Sequence, residues 1–424
     1  MQKIKELLQS DYVKNILRLF GGTSLSQVIP ILISPVLTRL FSADHFGFFA
    51  TYVSIYTVLS VFSTARYDQA VILTSDKNSL SSVVKLSFVL LIISTVVYEL
   101  VVLVFNEAIQ QYFELKELNN LIYLLPISVF FVGTIQITNY VLIKEASFSK
   151  LSLVKVLQAI SVSLASLALG YFSVATGLVI GQLIGMITVS VLLLFWLSQS
   201  NLELFKIDID ELKKVANQYI NFPKYDISAS FLSVGTPQSI VLLLGAFFTN
   251  QVVGLYALTN RVLLSPIHFV SKSIVDVFRE KATRDYQETG SCRSIYIKTF
   301  WILLSMSVLP FSILFFFGDL LFGWVFGSEW VVSGQIAMIL TPMYLLKFIS
   351  SPLSYVLYIA EKQKINFYYQ LVLFISIVGV LVFGQYLDDY MLVFKLISLI
   401  YSIFYIVFLF QSYRFSIARN SERG

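Results

Sequence analysis

Twelve apolar runs dominate this chain. Each is about 20 residues long, the length that a helix needs to cross a bilayer. Hydrophobic residues make up 57% of the 424 residues and charged residues only 13%, whereas soluble domains have about 45–50% and about 25%. A bilayer core admits only helices or closed barrels, because an unpaired backbone group finds no hydrogen bond there. The runs lack the strict alternation of barrel strands. The sequence therefore predicts an all-α integral membrane protein.

The connections between the spans alternate in charge. One set is rich in cations, as at Lys144 and Lys150 or at Arg279 and Lys281, and the other set is almost free of them. Because cationic loops stay in the cytoplasm, both termini are predicted to be cytoplasmic. The net charge of +5 is thus a topology signal, and no nucleic-acid partner is expected. The spans are predicted at residues 15–38, 46–73, 83–105, 121–143, 151–172, 177–198, 226–248, 252–277, 297–317, 332–359, 366–386 and 390–412.

The predicted outer connections are short, as at 249–251, 327–330 and 387–389. A membrane glycosyltransferase or polymerase would need longer outer loops to build its site, so the sequence favours a protein that is not an enzyme. The two histidines, His45 and His268, lie far apart with no cysteine near them, and no metal site is expected. An accessory helical scaffold remains an alternative.

The two halves of the chain resemble each other. The segment LSQVIP (25–30) precedes Gly47, and LSVGTP (232–237) precedes Gly254, with the same spacing and an offset of 207 residues. Six spans per half give both repeats one orientation, related by an axis along the membrane normal. The predicted organisation is a six-helix lobe at 1–200, an amphipathic cytoplasmic linker helix at 201–224 and a second six-helix lobe at 225–424. Two such bundles can enclose a cavity that opens alternately to either side.

Two sequence blocks carry a family resemblance. The segments ISPVLTRLFSADHFGFFATYVSI and RYDQAVIL, and the later NFPKYDISASFLSVGTPQSIVLLLGAFFTNQVVGLYALTNRVLLSPI, resemble the openings of the two lobes in oligosaccharide flippases of the polysaccharide transporter family. That family belongs to the superfamily of multidrug/cation antiporters and lipid II flippases. The chain departs from the lipid II flippases by lacking two C-terminal helices. It also departs from many antiporters, because residues 15–38 contain no Asp or Glu.

The resemblance implies a function. Relatives move polyprenyl-pyrophosphate-linked O-antigen or capsule repeats from the inner to the outer leaflet of the bacterial plasma membrane. For this chain we predict that such a lipid passes through a cationic central cavity by alternating access, because of the duplication and the cation Arg261 in a predicted span. The resemblance implies no cofactor other than a coupling proton or sodium ion, and it implies lipid-linked oligosaccharide, membrane lipids, a polysaccharide polymerase and a chain-length regulator as partners. The alternative is a multidrug/cation antiporter of the same fold.

Charged side chains inside the spans are the candidate site residues. An arginine at mid-bilayer costs about 2.5–3.5 kcal/mol on insertion scales, so it usually faces a cavity or a partner. Arg261 lies about 15 Å from the outer end of its span, at the midplane, and a guanidinium suits pyrophosphate. The alternative is a buried structural pair. Arg66 lies near the inner end of its span, either as a receiving site for pyrophosphate or snorkelling to head groups. Arg66 and Asp68 lie about 200° apart on one helix, so we do not expect them to neutralise each other.

The remaining candidates are grouped by role. Structural roles at helix ends or between helices stay open for all of them. The full prediction is substrate-binding cavity cations at Arg261, Arg66, Lys347 and Arg18, ion coupling at Asp68, Glu99 and Asp226, and sugar contacts at Gln27, Asn139 and Asn260.

Overall fold

The computed structural model describes residues 11–112, 121–200, 202 and 208–417. Within these ranges, nothing is described for the side chains of residues 11–24, 109–112, 266, 268–273, 276 and 363.

Helices account for nearly all of the described chain, and it contains no β-strand apart from one isolated bridge between Ser291 and Ile417. One-turn helices lie at Tyr67–Ala70 and Val356–Ile359. The longer helices are α1 (Asp11–Leu40), α2 (Ala43–Ser63), α3 (Lys77–Tyr112), α4 (Leu124–Lys144), α5 (Phe148–Tyr171), α6 (Gly177–Ser198), α7 (Ile209–Gln218), α8 (Ile227–Phe247), α9 (Asn250–Thr289), α10 (Arg293–Phe326), α11 (Val331–Leu353), α12 (Gln363–Leu387) and α13 (Tyr390–Phe415).

Each of the twelve predicted spans overlaps one long helix. Within the described residues, ten helices are long and apolar enough to cross a membrane. The other two predicted spans coincide with α1, whose described apolar stretch is Leu25–Leu40, and with α9. Large apolar side chains such as Val104 and Trp324 are exposed on these helices, as expected of surfaces that face lipid. The chain is a multi-pass helical membrane protein.

One predicted boundary is wrong. The span expected at 46–73 ends at Ser63, because Ala65 and Arg66 adopt left-handed backbone angles, with φ of 46° and 64°. A continuous helix cannot pass through two such residues. The angular argument that separated Arg66 from Asp68 on one helix therefore does not apply.

The chain divides into two compact units, residues 1–246 and 247–424. The predicted organisation differs, because it places α8 in the second lobe. It remains a prediction, with lobes at 1–200 and 225–424 and a linker at 201–224. Part of the expected linker helix is α7, which packs on α3. Its Val215 is buried in a core shared with residues of α3 and α4.

The first unit is held together by buried contacts among α2, α4 and α6. The Tyr52 hydroxyl lies 2.7 Å from that of Ser128, and the Gln182 amide donates to the Tyr56 hydroxyl at 3.2 Å. Apolar side chains of the three helices, such as Met186, surround these bonds.

The second unit is centred on α11. This helix packs along α9, α10 and α13. Two reciprocal bonds tie it to α9: the Thr259 hydroxyl donates to the Ser333 carbonyl at 2.7 Å, and the Ser333 hydroxyl donates to the Leu255 carbonyl at 3.0 Å.

The two repeats have equivalent local structure at the start of α2 and at the start of α9. Gly47 is the fifth residue of α2 and Gly254 the fifth residue of α9. Ser42 and Thr249, also 207 residues apart, cap these helices through side-chain oxygens that accept backbone N–H groups. Such caps satisfy amides that the first helical turn leaves unpaired. The offset found in the sequence thus extends to the local structure.

Glycines allow α10 and α11 to approach closely. A Cβ atom placed on Gly334 would lie 2.6 Å from the Cα of Asp319 and would also overlap the carbonyl of Gly318. Backbone atoms cannot move aside as a flexible side chain can, so this contact requires glycine. By contrast, nothing lies within 4 Å of a Cβ placed on Gly379 of α12.

We expect Gly334→Ala to destabilise the protein by about 1–3 kcal/mol, because the added methyl group forces α10 and α11 apart. The measurement is the thermal midpoint in detergent. Gly379→Ala is the matched control and should leave the midpoint unchanged or raise it slightly, since alanine favours helices. Equal midpoints for the two variants would contradict the close packing of α10 on α11.

The single cysteine of the chain, Cys292, is buried between α9 and α10. Its N–H donates to the Ser416 carbonyl at 2.8 Å, and burial raises the pKa of its thiol to about 11. At pH 7 about one thiol in ten thousand would be ionised, and the thiolate is the reactive form.

We therefore expect native protein to resist maleimide at neutral pH and to react only after denaturation. A gel assay with a fluorescent maleimide measures this. Ser75→Cys, at an exposed position, is the control that should react without denaturation. An impermeant reagent on intact cells would then test the predicted cytoplasmic location of residue 75. Labelling of the native chain at Cys292 would contradict its burial.

Candidate functional site

Four residues of the first unit form a hydrogen-bonded group, here named the Arg66 cluster: Arg66, Gln69, Asp226 and Ser230. One oxygen, Oδ2 of Asp226, accepts from Nε of Arg66 at 2.9 Å, from Nε2 of Gln69 at 3.0 Å and from Oγ of Ser230 at 3.1 Å. The Arg66 side chain is 16% exposed and that of Asp226 is 33% exposed. The cluster is therefore an ion pair that a ligand could still reach.

The backbone turn at residues 64–66 positions Arg66. The N–H groups of Ala65 and Tyr67 donate to the carbonyls of Phe62 and Thr64, so the helix gives way to tight turns. The Ser94 hydroxyl of α3 donates to the Ser63 carbonyl at 2.5 Å. Left-handed non-glycine residues cost about 1–3 kcal/mol each and persist where their surroundings hold them in place.

Tyr67 and Asp68 anchor the turn in the interior. The Tyr67 hydroxyl donates to the Ala216 carbonyl of α7 at 3.0 Å. Asp68 is fully buried, and its Oδ1 accepts from the Thr64 hydroxyl at 2.6 Å. Within the described ranges its Oδ2 has no hydrogen-bond partner. Asp68 thus carries an unsatisfied buried oxygen close to the ion pair of Arg66 and Asp226.

The second unit carries four polar residues on one helix pair, named here the Arg261 cluster: Asn260 and Arg261 of α9 with Tyr344 and Lys347 of α11. The Tyr344 hydroxyl donates to Oδ1 of Asn260. Nζ of Lys347 lies 5.7 Å from the centre of the Tyr344 ring, at the distance of a cation–π contact. Arg261 and Lys347 are both half-buried.

The α9–α11 bonds described above place this second group. Thr259 binds α11 directly and immediately precedes Asn260 and Arg261 in the chain. Tyr256, one turn earlier, stacks on Phe394 of α13 with ring centres 5.5 Å apart. The α9–α11 pair thus carries two cations, one amide and one phenol, a set that suits an anionic ligand carrying hydroxyl groups.

The other predicted residues lie apart from these clusters, or their contacts are not described. Arg18 lies in α1, but its side chain is outside the described set. Gln27 of α1 and Glu99 of α3 are half-buried. Asn139 of α4 is also half-buried, and its Oδ1 and the Oε1 of Gln136 are buried without a partner among the described residues. Both carbonyl oxygens are therefore unsatisfied acceptors in the interior of the described chain.

Sequence reasoning missed four partners: Gln69 and Ser230 of the Arg66 cluster, Tyr344 of the Arg261 cluster, and Thr64. Ser230 stands four residues after Asp226, and Thr64 four residues before Asp68. Such spacing between polar residues in an apolar run is the signal that was available. For Gln69 and Tyr344 the partners are 157 and 84 residues away, and spacing carries no such signal.

Comparisons with known proteins identify the family. The sequence matches the family described as polysaccharide biosynthesis protein over residues 36–335, more than half of the chain. No curated protein sequence matches it. Solved structures that share the fold include a flippase and two transporters. Lipid II flippase MurJ, in an inward closed conformation, has a TM-score of 0.71 and 16% identity, covering 94% of this chain and 87% of that chain.

The other two structures are transporters. An inward-facing multidrug resistance MATE family transporter of the MOP superfamily has a TM-score of 0.63 and 15% identity, covering 93% of each chain. A MOP superfamily transporter from Pyrococcus furiosus, described as having a binding pocket of reverse polarity, has a TM-score of 0.52 and 15% identity, covering 96% of each chain. At these identities the likeness concerns the fold alone. This chain belongs to the polysaccharide biosynthesis protein family and has the fold of MOP superfamily flippases and transporters.

Proposed function

We propose that this protein is a flippase. It moves a polyprenyl-pyrophosphate-linked oligosaccharide from the inner to the outer leaflet of a bacterial plasma membrane by alternating access, and it catalyses no covalent reaction. The family match and the fold shared with a lipid II flippase support this class of substrate. The observation that carries the proposal is the half-buried Arg261 on α9, within the predicted span 252–277.

The depth of Arg261 supports a role in mid-transport. α9 begins at Asn250, so Arg261 lies eleven residues along it, about 17 Å at 1.5 Å per residue. The hydrocarbon core is about 30 Å thick, so this position is near its middle. A guanidinium held there binds a diphosphate with paired N–H donors, and a polar head group gains most from such a site where water and counterions are scarce.

The surroundings fit the rest of the head group. Lys347 adds a second cation, while Asn260 and Tyr344 supply an amide and a phenol on the same helix pair. In the first unit, the carbonyl oxygens of Asn139 and Gln136 could accept hydroxyl groups of the sugars. We assign the coupling ion, a proton or sodium, to Asp68, because one of its carboxylate oxygens is buried and unsatisfied.

We expect Arg261→Ala to lower surface glycan at least about tenfold in the native host, since a charge-assisted diphosphate contact is worth 1.4 kcal/mol or more. Lipid-linked repeats should accumulate in the inner leaflet at normal protein levels, and Arg261→Lys should restore part of the display. The measurements are surface glycan by antibody and inner-leaflet repeats by extraction.

The matched control is Arg284→Ala, which removes an arginine from the same helix at an exposed pair with Glu280. It should display glycan like the parent. Normal display by both Arg261 variants would make Arg261 structural and remove the main support for the proposal.

The multidrug/cation antiporter remains the second candidate, because a MATE family transporter shares this fold. It requires acidic residues for a cationic drug, whereas the Arg261 cluster is cationic. We expect cells with and without the protein to tolerate cationic drugs equally. A several-fold loss of resistance on deletion, with unchanged surface glycan, would favour the antiporter instead.

A further inference from the structure

The Arg66 cluster contains its own anion. The carboxylate of Asp226 pairs with the guanidinium of Arg66, with Nε and Oδ2 2.9 Å apart. Oδ2 therefore lies where a phosphate oxygen of a ligand would bind. Resting on the proposed function, we infer that Asp226 is a specificity-determining residue. It keeps monoanionic phospholipids off Arg66 and yields only to a ligand that presents a diphosphate.

The geometry holds the carboxylate firmly but leaves the arginine reachable. Three donors converge on Oδ2 of Asp226, and two of them, Gln69 and Ser230, are neutral groups that do nothing for Arg66 itself. Among the described residues Arg66 gives a single hydrogen bond, through Nε. Its two Nη groups keep four N–H donors for a ligand, enough for a bidentate phosphate contact.

Competition explains the selection. Asp226 is tethered beside Arg66, so it competes at a high effective concentration. Any anion must first displace it, and every ligand loses the same factor in affinity. A monoanionic head group that binds weakly then occupies only a small fraction of the sites. A diphosphate carries more charge and two sets of oxygens, so it retains enough affinity to bind. Asp226 therefore sets an affinity threshold, which a diphosphate exceeds and a monoanionic head group does not.

The need for such an element follows from the membrane. Anionic phospholipids are abundant in the cytoplasmic leaflet, and Arg66 lies at the end of α2 predicted to face that leaflet. An unguarded arginine there would hold a phospholipid head group and place a lipid in the transport path. The left-handed Ala65 and Arg66 keep the guanidinium at Asp226, at a backbone cost that a simple structural salt bridge does not require.

The test is binding to purified full-length protein in neutral detergent, followed by native mass spectrometry, which resolves each lipid adduct. The probes are a sugar-free polyprenyl diphosphate and phosphatidylglycerol. In the absence of phosphatidylglycerol, Asp226→Asn should bind polyprenyl diphosphate at least about threefold more tightly than the parent, since the competitor is gone. Asp226→Glu should bind like the parent.

A second measurement tests whether Asp226 excludes phospholipids from Arg66. Adding phosphatidylglycerol to about 30 mol% should give Asp226→Asn an adduct that is absent from the parent and is lost in Asp226→Asn/Arg66→Gln. Glu280→Gln breaks an exposed ion pair with Arg284, and as the matched control it should gain neither tighter binding nor the adduct. If Asp226→Asn does not fold, Gln69→Ala/Ser230→Ala removes two of the three donors while keeping the carboxylate, and it should shift both readouts in the same direction.

The outcomes separate this inference from the proposed function. In one outcome the parent binds polyprenyl diphosphate, and Asp226→Asn shows neither tighter binding nor a new adduct. This result overturns the role of Asp226 in selection and leaves the proposed flippase intact. In another outcome the parent does not bind polyprenyl diphosphate, but Asp226→Asn gains a phosphatidylglycerol adduct that depends on Arg66. This result supports the role of Asp226 in excluding phospholipids and overturns the proposed substrate.

Discussion

Backbone hydrogen bonding governs this structure, because a chain that leaves a helix within or beside a bilayer must find new partners for its amides and carbonyls. The break after α2 shows how strict the requirement is. The carbonyl of Ser63 accepts from Ser94, tight-turn bonds satisfy the amides of Ala65 and Tyr67, and Tyr67 reaches α7 through its hydroxyl. A helix is interrupted only where neighbouring elements supply these bonds. The interruption allows Arg66 to meet Asp226, the residue just before α8.

The internal duplication preserves the scaffold but not the chemistry. Helix caps and glycines recur at the 207-residue offset, yet the residue equivalent to Arg261 in the first repeat is Ser54. Ser54 is buried and donates to Oε1 of Gln238 at 2.7 Å. One repeat thus uses this position for a structural hydrogen bond between α2 and α8, whereas the other carries a cation. The two halves need similar helices to span the membrane, but spanning does not require the same side chain at residues 54 and 261.

The sequence was sufficient for the long helices, because apolar length alone specifies a spanning helix. Predicted and observed ends of α6 agree at residues 177 and 198. It was not sufficient for the turn at 64–66, which contains neither glycine nor proline to mark it. Arg66, Arg261 and Lys347 are half-buried in the structure, but the partners of such residues depend on contacts between distant parts of the chain. Arg66 and Asp226 are 160 residues apart, and the Tyr344 phenol that meets Asn260 is one tyrosine among 24.

The length of α9 has a mechanical consequence. Its 40 residues extend about 60 Å, twice the roughly 30 Å of the hydrocarbon core. Thr289 lies 28 residues beyond Arg261, about 42 Å away along the axis, so a rigid rotation of about 10° around Arg261 carries that end through about 7 Å. The helix is therefore a lever arm: a small tilt at the depth of the arginine is amplified into a displacement outside the membrane, large enough for a pair of spectroscopic labels to follow.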